Sequence, residues 1–225
     1  MENKELKKFE DKYMIKVKGG KYKPSFTDEE KEVFDIEVCK YPTTQKMWLE
    51  KKIFSLLGWN TDITIDLPDK CVACIAPHTS NWDFVYCVLF KQAYGITVNF
   101  FIKDEWTRLP VIGAFIRRLG GIGVKRDKSQ SMTDVFAKEF DRYDTLRIAI
   151  TPEGTRSPNS KWKLGFYYIA LKAGVPIVLV SLDYRRKLVI IDRQIIPDGN
   201  AEKQLAEIKA HYKDVGAKYP KKFKI

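Results

Sequence analysis

Cys71-Val-Ala-Cys-Ile-Ala76 is a run of apolar residues with no polar alternation, and it stops at Pro77-His78-Thr79-Ser80-Asn81. An uninterrupted run of this length describes a strand buried on both faces, the kind found in parallel sheets covered by helices. The next residues suit a helix start. Thr79, Ser80 and Asn81 are capping residue types, and the apolar stretch Phe84 to Phe90 continues from them. His78 therefore falls where a strand ends and a helix begins, the edge at which open α/β sheets carry their sites.

The same punctuation recurs along the chain. Leu146-Arg-Ile-Ala-Ile150 is a second buried-strand pattern, and Val175-Pro-Ile-Val-Leu-Val180 a third, entered through a proline. Val98–Ile102 and Ile122–Lys125 are expected strands around a helical stretch Leu109–Leu119. Met132, Val135, Phe136, Phe140 and Tyr143 mark an amphipathic helix, as do Trp162, Phe166, Ile169, Ala170 and Ala173. A late strand over Lys187–Ile196 and a terminal helix over Ala201–Tyr212 complete the order. The expected fold is α/β: a mixed, mainly parallel sheet flanked by helices on both faces, with a small N-terminal appendage.

The appendage is assigned to residues 1–42 and the main domain to 43–225. Residues 1–40 carry 10 lysines and 10 acidic residues, so the whole net charge of +11 lies in the rest of the chain. Thr27 and Glu30 form a capping-box pattern for a helix to about Cys39, ended by Pro42. A further helix is expected from Thr44 to Leu57, closed by Gly58, with apolar residues on most of its faces.

The chain has only two histidines, His78 and His211, and histidine is the side chain whose ordinary pKa suits proton transfer near neutrality. Asp83 follows His78 by five positions. Inside one ideal helix, five residues turn through about 500°, leaving the side chains roughly 140° apart. The pair can meet only if His78 lies in the turn and Asp83 in the first helical turn, where a carboxylate also suits the helix dipole. So placed, Asp83 holds one imidazole nitrogen and stabilises the imidazolium formed when the other takes a proton. The alternative for the pair taken alone is a helix cap with a carboxylate that merely suits the dipole. His211, in the terminal helix, is expected to be solvated.

Three further blocks stand beside the pair: Leu119-Gly-Gly-Ile-Gly-Val-Lys-Arg126, Thr151-Pro-Glu-Gly-Thr-Arg-Ser157, and the Val175-Pro176 strand. In this order, with His78-x4-Asp83 first, they resemble the glycerolipid acyltransferase family that includes 1-acyl-glycerol-3-phosphate acyltransferases. The resemblance runs over about residues 53–196. It differs at Gly123, where the family commonly has a bulky and often aromatic residue, and at Thr151, where Phe is frequent. It implies His78 and Asp83 as catalytic residues and Gly120, Arg126, Glu153, Gly154, Thr155 and Arg156 as substrate-binding. Arginine suits an anionic head group because its planar fork binds two oxygens. Glu153 suits either a glycerol hydroxyl or a pairing with an arginine.

The implied activity is transfer of an acyl chain from an acyl thioester to a lysolipid hydroxyl in phospholipid biosynthesis. The acceptor is 1-acyl-glycerol-3-phosphate, or alternatively a non-phosphate lipid such as an N-acyl amino acid. His78 acts as general base, and backbone N–H groups near the helix start or the Gly-rich segment hold the oxyanion. No cofactor or metal is expected; acyl-CoA or acyl-carrier protein is the co-substrate.

Other classes are poorly supported. Cys71-Val-Ala-Cys74 has no second cysteine pair and points to core filling rather than zinc. Gly-x-Ser-x-Gly and Walker A patterns are absent. A basic, aromatic-rich chain also fits a non-catalytic nucleic-acid or anionic-surface binding protein. No nucleic-acid-binding motif accompanies that charge, so no nucleic-acid partner is expected. The start lacks an apolar leader, and no apolar run approaches the ~18 residues of a spanning helix. The expectation is a cytoplasmic enzyme held peripherally on the inner face of a membrane. The helix over 44–57, Trp48, Trp59 and basic side chains form the contact.

Overall fold

In a computed structural model, the structure describes residues 16–17, 20–21, 45–124 and 131–225. The expected helix to Cys39, the boundary near residue 42, Lys125 and Arg126 lie outside the described residues. The elements in chain order begin with β1 (Lys16–Val17) and β2 (Gly20–Lys21), then α1 (Gln45–Leu56), β3 (Asn60–Ile63), β4 (Lys70–Ala76) and α2 (Asn81–Ala93). There follow β5 (Phe100–Lys103), α3 (Asp104–Arg108), α4 (Ile112–Arg118), β6 (Gly121–Val124), α5 (Met132–Glu139) and β7 (Leu146–Ile150). The chain closes with α6 (Gly165–Ala173), β8 (Ile177–Asp183), β9 (Leu188–Ile195) and α7 (Ala201–Tyr212).

Five strands form the central sheet in the order β3-β9-β8-β4-β7. β4 pairs in parallel with both β7 and β8, and β3 pairs in parallel with β9. β8 and β9 form its antiparallel pair. β5 and β6 pair in parallel, and a parallel bridge from Asn99 to Ile148 aligns β5 with the outer side of β7. This is the mixed, mainly parallel α/β arrangement that the apolar runs demanded.

Successive side chains in β4 serve opposite faces, as strand geometry requires. Val72, Cys74 and Ala76 pack with Phe166, Tyr167, Ile208 and Tyr212, from α6 and α7. Cys71, Ala73 and Ile75 pack with Phe54, Phe90 and Ala93, from α1 and α2. Cys71 and Cys74 thus lie in two different cores and are separated by the sheet. Both are core-filling thiols, pushed up to about 12 by burial.

The structure corrects four local expectations. Trp59, expected at the membrane contact, is in the core at 2% exposed, with Tyr86 at a centroid distance of 4.4 Å and Tyr184 edge-on at 5.0 Å, and Phe54 of the helix before it is buried too. The helix expected over Leu109–Leu119 starts only at Ile112, because the chain turns sharply at Val111. Trp162 precedes its helix instead of opening it, and donates its ring N–H to the Lys224 carbonyl. His211 is not solvated; its side chain is 10% exposed, with Nε2 3.5 Å from Asp192 and 3.4 Å from the Ser181 hydroxyl. A register shift in the β8–β9 pairing makes Asp192 the extra residue between Arg193 and Ile191. Nearby, the buried Tyr212 hydroxyl donates to the Cys74 carbonyl at 2.6 Å and accepts the Val180 N–H at 3.2 Å.

Candidate active site

β4 ends at Ala76, the Ala76–Pro77 peptide is cis, and α2 starts at Asn81. Ser80 is the N-cap: its backbone is extended, its hydroxyl accepts the Trp82 N–H at 3.1 Å, and Asp83 completes a capping box. Asp83 Oδ2 accepts the N–H groups of Thr79 and Ser80, each at 2.8 Å. The same oxygen stands 3.2 Å from His78 Nδ1. The helix cap and the His–Asp pair are thus one structure, and the two readings of these residues do not compete.

Asp83 is buried, yet its carboxyl is held below the usual carboxylate range. Desolvation pushes it up, and bonds from His78, Tyr184, Ser80 and Thr79 together outweigh that push. An ionised carboxylate accepts only, so neutral His78 carries its proton on Nδ1 and leaves Nε2 free to take another.

Two supporting residues stand beside the pair. Tyr184, just beyond β8, donates its hydroxyl to Asp83 Oδ1 at 2.6 Å across 101 positions of chain. Trp59 and Tyr86 hold its ring, and Lys218 Nζ stands over both Tyr184 and Trp82. Nothing in the sequence singles out Tyr184, because its partner is remote and its own neighbours follow no motif. Glu153 is only 2% exposed, and its Oε1 accepts the backbone N–H of His78 at 2.7 Å. Burial raises its carboxyl to about 7; the His78 N–H bond and His78 charge oppose the rise, and Asp83's charge adds to it. Glu153 Oε1 thus meets the main chain of His78, and no ion pair with an arginine accompanies it among the described residues.

The loop after β7 is stapled to present Glu153. Lys163 N–H donates to the Pro152 carbonyl at 2.7 Å, and the Asn159 amide donates to the Glu153 carbonyl at 2.9 Å. Gly154 takes φ +64°, where a Cβ would lie 2.9 Å from the Lys163 side chain. Thr155 and Arg156 are exposed on the same loop, and the Thr155 hydroxyl accepts the Ser157 N–H at 3.2 Å.

Gly120 is not at this edge. It precedes β6, whose start pairs with the start of β5, so it lies at the opposite, amino edge of the parallel strands. There it has φ +89°, a Cβ would lie 2.6 Å from the Val98 carbonyl, and its own carbonyl accepts the Phe100 N–H. Its role is close packing of a turn. The space beside Gly123 is filled by Thr107 and Asp104 from α3, which accounts for the small residue there. Four N–H groups at the helix start already have partners: Thr79 and Ser80 serve Asp83, Trp82 serves Ser80, and His78 serves Glu153.

His78 and Asp83 open on a cavity of about 240 Å³ beneath α2. Its walls are apolar, with Cys71, Ala73 and Ile75 from β4 facing Val88 and Leu119. Phe84 stands at the His78 end and is partly exposed. The far end is lined by Lys91 and Arg147. Lys91 Nζ donates to the carbonyls of Val98 and Leu119, and Arg147 Nε to that of Pro68. The arrangement joins a proton acceptor to a narrow apolar chamber, which suits a reactive head group carrying a hydrocarbon chain.

Comparisons with known protein sequences agree on one group. A family model described as Acyltransferase matches residues 64–183. The chloroplastic 1-acyl-sn-glycerol-3-phosphate acyltransferase BAT2 of Brassica napus is 28% identical over 141 residues, 61% of this chain and 40% of that protein. The 1-acyl-sn-glycerol-3-phosphate acyltransferase of Escherichia coli is 27% identical over 124 residues, 53% of this chain and 49% of that one. The chain spans about half the length of the curated relatives it matches, or less. Among solved structures, the 1-acyl-sn-glycerophosphate acyltransferase PlsC of Thermotoga maritima aligns with a TM-score of 0.48 at 19% identity, covering 86% of each chain.

Proposed function

The chain belongs to the acyltransferase family, and we propose that it acylates the free hydroxyl of a lysolipid, with 1-acyl-glycerol-3-phosphate as acceptor and phosphatidic acid as product. The observation that carries this reading is a His78–Asp83 pair opening on an apolar cavity of about 240 Å³. The names of the relatives, 1-acyl-sn-glycerol-3-phosphate acyltransferases, support the choice of acceptor.

The donor is an acyl thioester, carried by coenzyme A or acyl-carrier protein. His78 Nε2 takes the acceptor hydroxyl proton as that oxygen attacks the thioester carbonyl. The tetrahedral intermediate collapses with cleavage of the C–S bond, and the departing thiolate receives the proton from imidazolium. Asp83 stabilises that imidazolium, Tyr184 fixes Asp83, and Glu153 fixes the backbone of His78. The acyl chain lies in the cavity beneath α2. Arg156, exposed on the loop that carries Glu153, binds the acceptor's anionic head together with Arg126.

Lipid substrates place the enzyme at a membrane surface. No described helix is long and apolar enough to cross a membrane. With Phe54 and Trp59 in the core, the exposed apolar residues of α1 among the described side chains are Leu49, Ile53 and Leu56, and Leu57 follows them.

The test is a direct comparison with purified protein and one acyl donor. Lysophosphatidic acid and an N-acyl amino acid with a free hydroxyl are offered in turn. Preference for lysophosphatidic acid is expected. Preference for the amino-acid lipid overturns the phosphate acceptor and leaves acyl transfer standing.

A further inference from the structure

Twelve of the seventeen exposed large apolar side chains among the described residues lie on α1 and Leu57, on the start of α2, or on the segment Trp106–Phe115. Strand polarity brings these elements to one edge. α2 starts where β4 ends. β5 runs parallel to β6 and aligns with β7, so its end, and with it α3 and the start of α4, reaches the same carboxyl edge. β9 is antiparallel to β8, and β3 is parallel to β9, so β3 begins at that edge with the end of α1 just before it. An apolar rim therefore surrounds the edge that carries His78.

Within the rim, Val111 stands apart. It has φ +61° and ψ −61°, the Ile112 N–H donates to the Pro110 carbonyl at 2.6 Å, and the residue is 83% exposed. This is a strained γ-turn with a β-branched residue at its apex. It projects an isopropyl group outward, flanked by exposed Trp106, Leu109, Ile112 and Phe115. Strain of this kind is commonly kept where it serves a function.

Charge identifies the occupant. Arg117 and Arg118 end α4, and Lys103 precedes α3. Of the acids nearby, Asp104 is paired with Arg108 at 2.5 Å and Glu105 is exposed. From Val111 to Arg118 the helical rise is about 10 Å. That matches the roughly 5–10 Å by which interfacial apolar side chains sink below the head groups. An apolar tip with cations one helix-length behind it is complementary to an anionic phospholipid surface.

We propose that the α3–α4 turn, headed by Val111, is a wedge that inserts into an anionic bilayer and seats the His78 edge on it. The proposal rests on the lysolipid reading above and deepens it, because it states how the enzyme meets its substrate's surface. It assigns insertion to a segment separate from α1.

The test is co-sedimentation with vesicles of phosphatidylcholine and phosphatidylglycerol, comparing wild type, V111S/I112S/F115S in the wedge, and L49S/I53S/L56S in α1. The wedge variant should lose about tenfold or more in partitioning, as expected for removal of three apolar side chains from lipid. Val111→Gly, which the turn accepts without strain, should keep Tm at or above wild type and still weaken vesicle binding. Brominated phosphatidylcholine should quench wild-type tryptophan fluorescence, and Trp106→Phe should remove part of that quenching. Acylation of a short-chain lysophosphatidic acid, dissolved below its micelle concentration, should be unchanged in the wedge variant. If wild type fails to acylate this acceptor, the lysolipid reading fails while the partitioning result still judges the wedge. Wild-type partitioning by V111S/I112S/F115S, or vesicle binding lost only in the α1 variant, overturns the wedge.

Discussion

Asp83→Asn separates the charge of Asp83 from its geometry. Among the described residues, Oδ2 receives three donors, the N–H groups of Thr79 and Ser80 and the Nδ1–H of His78, while Oδ1 receives only the Tyr184 hydroxyl. An asparagine oxygen takes the Oδ2 place because two backbone donors require an acceptor there. Its NH2 then faces Tyr184, whose hydroxyl turns to accept. The histidine tautomer is preserved, unlike in a triad where the same change reverses it and costs about 10⁴ in rate. What is lost is the carboxylate's attraction for imidazolium, about 4 kcal/mol at an effective dielectric constant near 20. Allowing for the neutral hydrogen bond that remains, a loss of about 3–4 kcal/mol lowers the rate by ~10²–10³. The assay is acyl transfer at saturating donor, with far-UV circular dichroism to verify folding. A folded Asp83→Asn within twofold of wild type refutes the imidazolium role, and a folded one slowed by about 10⁴ or more, the loss that accompanies a reversed tautomer, refutes the preserved tautomer.

Tyr184→Phe keeps the ring between Trp59 and Tyr86 but removes the donor to Asp83; kcat should fall about tenfold with KM unchanged, as for an interaction expressed in the transition state. Glu153 has a carboxyl raised from 4.5 to about 7, so the folded state binds its proton where the unfolded state has released it. The sign is that stability is lost as pH rises from about 4.5 to about 7. Glu153→Gln keeps an acceptor for the His78 N–H without the charge, and its stability advantage over wild type in denaturant unfolding should grow across that window, by an amount on the order of 3 kcal/mol. Ala73→Leu narrows the cavity at its middle, which has room for only about eight groups of roughly 30 Å³, the volume of a water molecule. Donors with short acyl chains should be favoured over long ones in competition assays, with little loss of stability because the added atoms enter open space.

The parts of the molecule written in contiguous residues can be read from the sequence. The apolar run before His78, the capping residues after it and the Pro-Glu-Gly-Thr-Arg loop each lead to an element in its expected place. The alternation of strands and helices leads to a mainly parallel sheet. The features that escape such a reading depend on contacts between distant positions. Tyr184 reaches Asp83 only because β8 lies beside β4. Glu153 binds a backbone N–H, which no residue pattern announces. The helix bearing Phe54 has apolar residues on most faces, so its pattern does not reveal that Phe54 and Trp59 face the core while Leu56 faces outward. His211 is half-buried, against expectation, beside Asp192, which a break in strand register leaves as the extra residue. Gly120 resembles part of a binding block, yet the polarity of β6 puts it at the far edge of the sheet.

Everything proposed for the reaction depends on His78 as the general base of acyl transfer to a lysolipid hydroxyl. The initial rate at which purified wild type and His78→Ala transfer a radiolabelled acyl group from a thioester to lysophosphatidic acid probes this directly, with equal folding shown by Tm. Wild type should yield labelled phosphatidic acid, and the variant should be slower by about 10² or more, as for loss of a general base. Near-normal transfer by a folded His78→Ala contradicts the assignment.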